Sequence, residues 1–207
     1  MKILAVSDEP VSWIYSQQLL DRCGDVDLVV SCGDLPFGYL EFIASTLNRP
    51  CFYVRGNHDH KEISDHGPIK TAPEGWIDLD AHVTRAHLAP SRSLSIAGLE
   101  GCLRYRPHAD AQYSQRGQFL RALTMTPHLM LRRPDVFISH APPFGVHNGP
   151  DHAHTGFHAH NWVIARFKPR LFLHGHQHRT YDHRIPGNTL VDRTLVVNVH
   201  PYRILEL

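Results

Sequence analysis

The sequence predicts an α/β fold of two packed sheets with helices outside, and three observations carry that prediction. Short apolar, β-prone runs recur along the whole chain. In the first quarter they alternate with stretches of helical spacing, as parallel sheets do. Five of the runs end at a carboxylate, amide or imidazole: Ile3-Leu4-Ala5-Val6-Ser7-Asp8, Leu28-Val29-Val30-Ser31-Cys32-Gly33-Asp34, Cys51-Phe52-Tyr53-Val54-Arg55-Gly56-Asn57-His58-Asp59, Val136-Phe137-Ile138-Ser139-His140 and Leu171-Phe172-Leu173-His174-Gly175-His176-Gln177-His178. Ligands of open α/β sheets bind beyond the carboxyl ends of the strands, so the repetition predicts one shared site.

Taken in order, residues 2–7 read as a strand and Val11 to Arg22 as a helix, with Pro10 near its first turn and Trp13, Ile14, Gln17 and Leu20 at roughly helical spacing. Residues 27–32 form the second strand, Phe37 to Leu47 the second helix and 51–55 the third strand, which places Asp8, Asp34 and Asn57 on one edge. From Gly56 to about Pro90 the pattern is mixed and reads as a connecting lobe, with a short strand in Trp76-Ile77-Asp78-Leu79-Asp80. Ser93-Leu94-Ser95-Ile96-Ala97 alternates as a half-buried strand. Gln112 to Arg133 carries a helix interrupted near Pro127, and residues 135–139 deliver His140. The loop from Ala141 to His154 is rich in Pro, Gly and His, a length that compact domains keep for function or motion. Thr155 is placed to cap a helix from Gly156 to Phe167. Short β segments near Arg179–Arg184, Thr189–Asp192, Thr194–Val199 and Tyr202–Leu205 fit a second, largely antiparallel sheet.

Bulk properties narrow the function. The 207 residues contain no long Gly/Ser or Pro-rich linker and read as a single domain, residues 1–207. Lys and Arg total 21 against 20 Asp and Glu. A near-zero net charge without a basic tract disfavours a nucleic-acid partner. The 18 histidines exceed what a core needs, so the net charge climbs once pH drops through the histidine range. The four cysteines lie far apart with no Cys-x-x-Cys pair, and Cys32 and Cys51 fall in apolar runs as small buried hydrophobes. A reduced, cytoplasmic protein is the expectation. The first apolar run is too short for a signal peptide, nothing approaches a membrane span, and a homo-oligomer is compatible with the sequence.

Each strand-end residue has an ordinary explanation when it stands alone. Asp8 could cap a helix, Asp34 and Asn57 could form turns, His140 could be a hydrogen-bonded loop histidine, and a bare His-x-His such as His176 and His178 is a weak signal. Their joint occurrence at successive strand ends is hard to obtain by accident. Six donors (Asp8, Asp34, Asn57, His140, His176 and His178) are too many for one tetrahedral zinc, but two cations sharing a carboxylate would use them. Oxygen and nitrogen donors without a thiolate fit Mn, Fe, Zn or Co.

Gly33-Asp34, Gly56-Asn57-His58-Asp59, His140 and Gly175-His176-Gln177-His178, after a first strand ending in Asp8, together resemble the calcineurin-like metallophosphoesterase superfamily over nearly the whole chain. The resemblance implies a four-layer α/β/β/α sandwich of two packed mixed sheets with flanking helices, and a two-metal site. It assigns Asp34 as the bridge, Asp8 and His178 to the first metal, and Asn57, His140 and His176 to the second. His58 is then not a ligand but faces the scissile phosphate. One block departs from the pattern: the usual Asp-x-His reads Asp8-Glu9-Pro10, so a histidine ligand of the first metal is missing, with Glu9 or the late His200 as replacements.

The function expected is hydrolysis of a small phosphate mono- or diester, as a phosphodiesterase or phosphatase, by a hydroxide held between the two cations. His58 would protonate the leaving alcohol, with Asp59 orienting its imidazole. Arg104, Arg106 and His154 are candidate substrate contacts. The alternatives are a catalytically impaired scaffold or binding protein of the same fold, favoured by Pro10, and a nuclease, disfavoured by the charge balance.

Overall fold

Alternation along the strands sorts their apolar residues into separate cores in the computed structural model, which describes residues 1–59, 70–89, 92–178 and 186–207. The first half contributes β1 (Lys2–Val6), α1 (Gln18–Cys23), β2 (Leu28–Ser31), α2 (Phe37–Leu47), β3 (Cys51–Tyr53) and β4 (Trp76–Asp78). Next come β5 (Val83–Ala89), β6 (Arg92–Leu99), β7 (Cys102–Leu103), β8 (Gln112–Tyr113), α3 (Gln115–Thr124) and α4 (Thr126–Leu131). The chain finishes with β9 (Val136–Ser139), α5 (His158–Phe167), β10 (Leu171–His174), β11 (Asn188–Val191), β12 (Thr194–Asn198) and β13 (Tyr202–Glu206).

One sheet runs β13-β1-β2-β3-β4 and the other β11-β12-β10-β9-β6-β5. Ile3, Ala5, Leu28, Val30, Phe52 and Val54 of the first meet Ile96, Val136, Ile138, Leu171, Leu173 and Val197 of the second in a dry central layer. The intervening residues face outward. Leu4, Val6 and Val29 pack with Leu19 of α1 and Leu40 and Ile43 of α2. Phe137, Phe172 and Val196 pack with Ala122 of α3, Leu129 of α4 and Val163 and Phe167 of α5. The architecture is thus the helix-sheet-sheet-helix sandwich that was expected. Each large side chain fully removed from water contributes about 1.5–3 kcal/mol, and these layers hold the strand ends that carry the site.

Several expectations are corrected. The second sheet is mixed, as the implied fold has it, but the largely antiparallel arrangement expected for the late β segments is not found: β12, β10, β9 and β6 are mutually parallel, and only the edge strands β11 and β5 are antiparallel to their neighbours. The last strand is not in that sheet at all, since β13 pairs antiparallel with β1, Lys2 opposite Glu206. Part of the supposed connecting lobe is the edge strand β5, whose interleaved His and Arg residues mask its alternation. The segment expected as β near Arg179–Arg184 lies outside the described residues.

Two helix starts also differ. Regular α-helix begins only at Gln18, because the Ser16 hydroxyl donates to Trp13 O and accepts from Gln18 N, competing with the helical ladder. Thr155 does not cap α5; its hydroxyl donates to Asp151 O, and the first free N–H of the helix, at His158, is taken by the Gln115 side chain. Gln112 and Tyr113 form β8 rather than helix, and α3 starts after Ser114, whose hydroxyl accepts from Gly117 N at 3.0 Å. The break at Pro127 is present, with α3 ending at Thr124 and α4 carrying the proline in its first turn.

Candidate metal centre

The parallel strands β1, β2, β3, β9 and β10 all point their carboxyl ends the same way, so Asp8, Asp34, Asn57, His140 and His176 arrive at one rim. Donor atoms of Asp34, His140 and His176 lie within 4.8 Å of one another. His140 Nε2 is 3.3 Å from Asp34 Oδ2 and 3.0 Å from Asn57 Oδ1. The other nitrogen, Nδ1, donates to Cys32 O at 2.7 Å, which fixes the ring with Nε2 toward the cluster. Because Gly56 packs against these side chains, a Cβ there would lie 2.0 Å from Asp34 Oδ1; a Cβ on Gly175 would lie 2.5 Å from Asp8 Oδ2. The glycines of both blocks are therefore dictated by close approach.

Three of the converging residues have left-handed backbone: Asp8 at φ 68°, Asp34 at φ 59° and His176 at φ 65°. For residues other than glycine this conformation costs on the order of 1–3 kcal/mol each. Hydrogen bonds between the loops hold it. Both Asp8 carboxylate oxygens accept from His176 N at 3.0 Å, and Asp34 Oδ1 accepts from His58 N at 2.8 Å. Asp59 does not orient the His58 imidazole. Its carboxylate accepts from the backbone N–H of Asp34 at 2.8 Å, Leu35 at 3.1 Å and Gly56 at 2.7 Å, stapling two site loops together. Burial, reinforced by the Asp34 charge, pushes the Asp59 pKa up to about 6 despite these donors.

The electrostatics divide the histidines. Burial opposes a charge on His140, yet Asp34 and Asp8 outweigh it and raise its pKa to about 9. Burial and the neighbouring His140 push His176 down to about 3, so it is a neutral donor. Its Nε2 contacts Ala153 O at 3.1 Å and therefore carries the proton, leaving Nδ1 with a lone pair. For Asp8, burial is outweighed by His178 and His140, and the carboxyl is held well below the usual range. A neutral His176, ionised carboxylates and an amide oxygen in one pocket, with a His140 imidazole that would give up its proton to a cation, are the donor chemistry of a divalent metal.

The remaining candidates lie around this centre. His178 Nε2 is 3.6 Å from Asp8 Oδ1 and its side chain is 34% exposed. His58 is exposed beside Asp34. The His154 ring stacks on His176 at 4.5 Å, and its Nδ1 hydrogen-bonds the Asp151 carboxylate. Arg104 is held by a bond from Nε to Gln112 O, and Arg106 lies over the Tyr105 ring. Both line an open groove of about 580 Å³ with Tyr105, Pro107, His108 and His152. The residue of this loop that reaches the cluster is Tyr105, whose hydroxyl accepts from Asn57 Nδ2 at 3.1 Å. Sequence reasoning passed over it; the signal was its position between two arginines picked as anion ligands. Glu100 was missed too: it is 1% exposed and forms a bidentate pair with Arg55, just before Gly56.

A family model of calcineurin-like phosphoesterases matches residues 1–180, and the chain belongs to that family, which typically binds divalent metals. Solved structures agree in fold. TT1561 of Thermus thermophilus is 15% identical, with a TM-score of 0.61 over 96% of this chain and 88% of that one. GAP50, described as the anchor in the inner membrane complex of Plasmodium, is 10% identical, with a TM-score of 0.53 over 96% of this chain and 70% of that one. Another solved structure is 20% identical, with a TM-score of 0.63 and coverage of 96% and 90%. No curated protein sequence gives a significant match. Among the described residues, no helix is long and apolar enough to cross a membrane.

Proposed function

We propose that this chain hydrolyses a small phosphate mono- or diester at a dinuclear metal centre formed by Asp8, Asp34, Asn57, His140, His176 and His178. The observation that carries the reading is the convergence of Asp34, His140 and His176 donors within 4.8 Å, with His58 tied to the Asp34 carboxylate through its backbone N–H. Asp34 would be the carboxylate that serves both groups of donors, the role the family resemblance implies for it. Bound there, divalent cations (Mn, Fe, Zn or Co) supply positive charge for the phosphoryl oxygens and lower the pKa of water at the site.

The chain's own groups supply the rest. The bond from His140 Nδ1 to Cys32 O keeps Nε2 aimed at Asp34, and the contact of His176 Nε2 with Ala153 O keeps its Nδ1 available. His58, exposed at the rim, gives a proton to the leaving oxygen as general acid. Arg104 and Arg106, in the groove beside Tyr105, and His154, stacked on His176, would serve as cationic or hydrogen-bonding contacts for the rest of the ester. The near-neutral charge and lack of a basic tract favour a small ester over a nucleic-acid strand.

The test is hydrolysis of a chromogenic bis-phosphodiester and its monoester with manganese and with chelator. Manganese-dependent turnover is expected, and His58→Asn should lower it about 10²–10⁴-fold while metal content stays unchanged. Full activity in that variant would remove His58 from its role. A metal-loaded wild-type chain that turns over neither ester would instead support the second reading, a binding protein of this fold, which the proline at position 10 favours.

A further inference from the structure

The ladder that holds β3 against β2 stops at Val54, whose N–H donates to Ser31 O at 3.1 Å, yet Asn57 and His58 lie beyond it. The chain is held there by the end of β6, a strand that brings no donor to the cluster. Glu100 follows Leu99, the last residue of β6, and its carboxylate accepts from Arg55 Nε at 2.7 Å and from Nη2 at 3.1 Å. Gly101 N donates to Arg55 O at 2.9 Å, so the side chain and the backbone of Arg55 are tied to adjacent residues. The same segment reaches the other ligand loop. Gly101 O accepts from Ala141 N at 3.3 Å, one residue past His140, whose Nε2 is 3.0 Å from Asn57 Oδ1.

Glu100 is itself fixed by three further residues. The Tyr113 hydroxyl donates to its Oε1, Gln118 Nε2 donates to its carbonyl at 3.0 Å, and its own N–H donates to Asp80 Oδ1 at 3.0 Å. Asp80 is paired in turn with Arg121. A buried ion pair seldom adds net stability, because desolvation offsets the attraction. What two parallel bonds between a planar guanidinium and a carboxylate do supply is orientation. Beyond the last ladder bond of β3, that pair sets the direction in which the chain runs on to Asn57.

We propose that Glu100, acting through Arg55, is a positioning residue for the ion held near His140: it places the Asn57 amide oxygen against the His140 imidazole without touching either. The inference rests on the phosphoesterase reading above and extends it to a buried carboxylate that meets neither ion nor ester. Its effect is on the affinity of one ion, because the Arg55 segment leads to Asn57 and not to Asp8 or His178.

Calorimetric titration of manganese into the metal-free protein tests it, with bound ions counted by electron paramagnetic resonance. Glu100→Gln, which keeps the shape and removes the charge, should weaken one ion by about tenfold and leave the other within about twofold. Arg55→Lys, which keeps the charge and removes the fork, should weaken the same ion. The double variant should be no weaker than the weaker single one, because the first residue acts through the second. Effects that multiply in the double variant would overturn that route. Affinities within about twofold of wild type in Glu100→Gln, with a lower melting temperature of the metal-free protein, would make the pair a purely structural one and overturn the proposal. Should Glu100→Gln fail to fold, Tyr113→Phe decides: it removes one donor to Glu100 and keeps the ring, so about threefold weakening of that ion is expected, and none would overturn the proposal. A wild-type chain that binds no manganese would overturn the phosphoesterase reading together with this inference, whereas a manganese-binding wild type with unaltered variants overturns this inference alone.

Discussion

The two halves of the centre are built differently. Around His140 the donors are buried and in direct contact: Asn57 Oδ1 at 3.0 Å, Asp34 Oδ2 at 3.3 Å, and the Cys32 carbonyl at 2.7 Å behind the ring. Around His178, the Asp8 carboxylate lies 3.6 Å from Nε2 and the imidazole is 34% exposed. One half is closed by short protein hydrogen bonds around a buried imidazole; the other is partly open to solvent. A preformed buried site loses less freedom on binding, so the half around His140 should bind its ion more tightly.

The largest effect that could break this comparison is on the metal-free fold. His140→Ala leaves Asp34 buried without its partner and should cost about 3–5 kcal/mol in urea denaturation with chelator present. His178→Ala, at a partly exposed pair discounted for solvent screening, should cost less than about 1 kcal/mol. Equal costs would mean that the two halves are not differently preorganised.

Acid stability is next, at a histidine behind the buried half. His160 packs among Phe137, Phe157 and Phe172, and burial pushes its pKa down to about 4 from 6.5. The unfolded chain binds this proton more readily than the folded one. Stability is therefore full above pH 6.5 and falls as pH drops toward 4, with a total of about 3 kcal/mol. Denaturation midpoints between pH 7 and pH 4 should show this limb, and His160→Leu should make it shallower by His160's share, the part due to His176 remaining. An unchanged slope in that variant would assign the acid loss to other groups.

The smallest effect sharpens the comparison within the buried half. Tyr105→Phe removes the acceptor for Asn57 Nδ2 while keeping the ring, and should weaken the ion held near His140 by about tenfold with little effect on the fold. Loss at the His178 side alone would contradict the placement of Tyr105.

Much of this was legible locally. Leu4 and Val6 alternate with Ile3 and Ala5, and the structure sends the two pairs to different cores. Phe37–Leu47 carries its helical spacing within a single segment and forms that helix. The strand-end donors were readable because glycine must precede Asp34, Asn57 and His176, where a Cβ would collide with a neighbouring backbone or site side chain. By contrast, Asp59 looked like a partner for adjacent His58, but its oxygens turn to three amides from two loops. Adjacency in sequence says little about side-chain direction once the backbone leaves a regular strand.

By itself, the sequence determined the layered α/β class, the strands that deliver Asp8, Asp34, Asn57, His140, His176 and His178, and the family to which they point. The class and the strands follow from periodicity and local sterics, which act over a few residues; the family follows from the resemblance of the motif blocks at the strand ends. Only the tertiary structure decided that β13 joins the first sheet, that Gln115 rather than Thr155 takes up the first free N–H of α5, that Tyr105 reaches Asn57, and that the His200 ring stacks on His178. Each of those depends on two segments far apart in the chain meeting at one place, and such meetings are set by the packing of whole sheets.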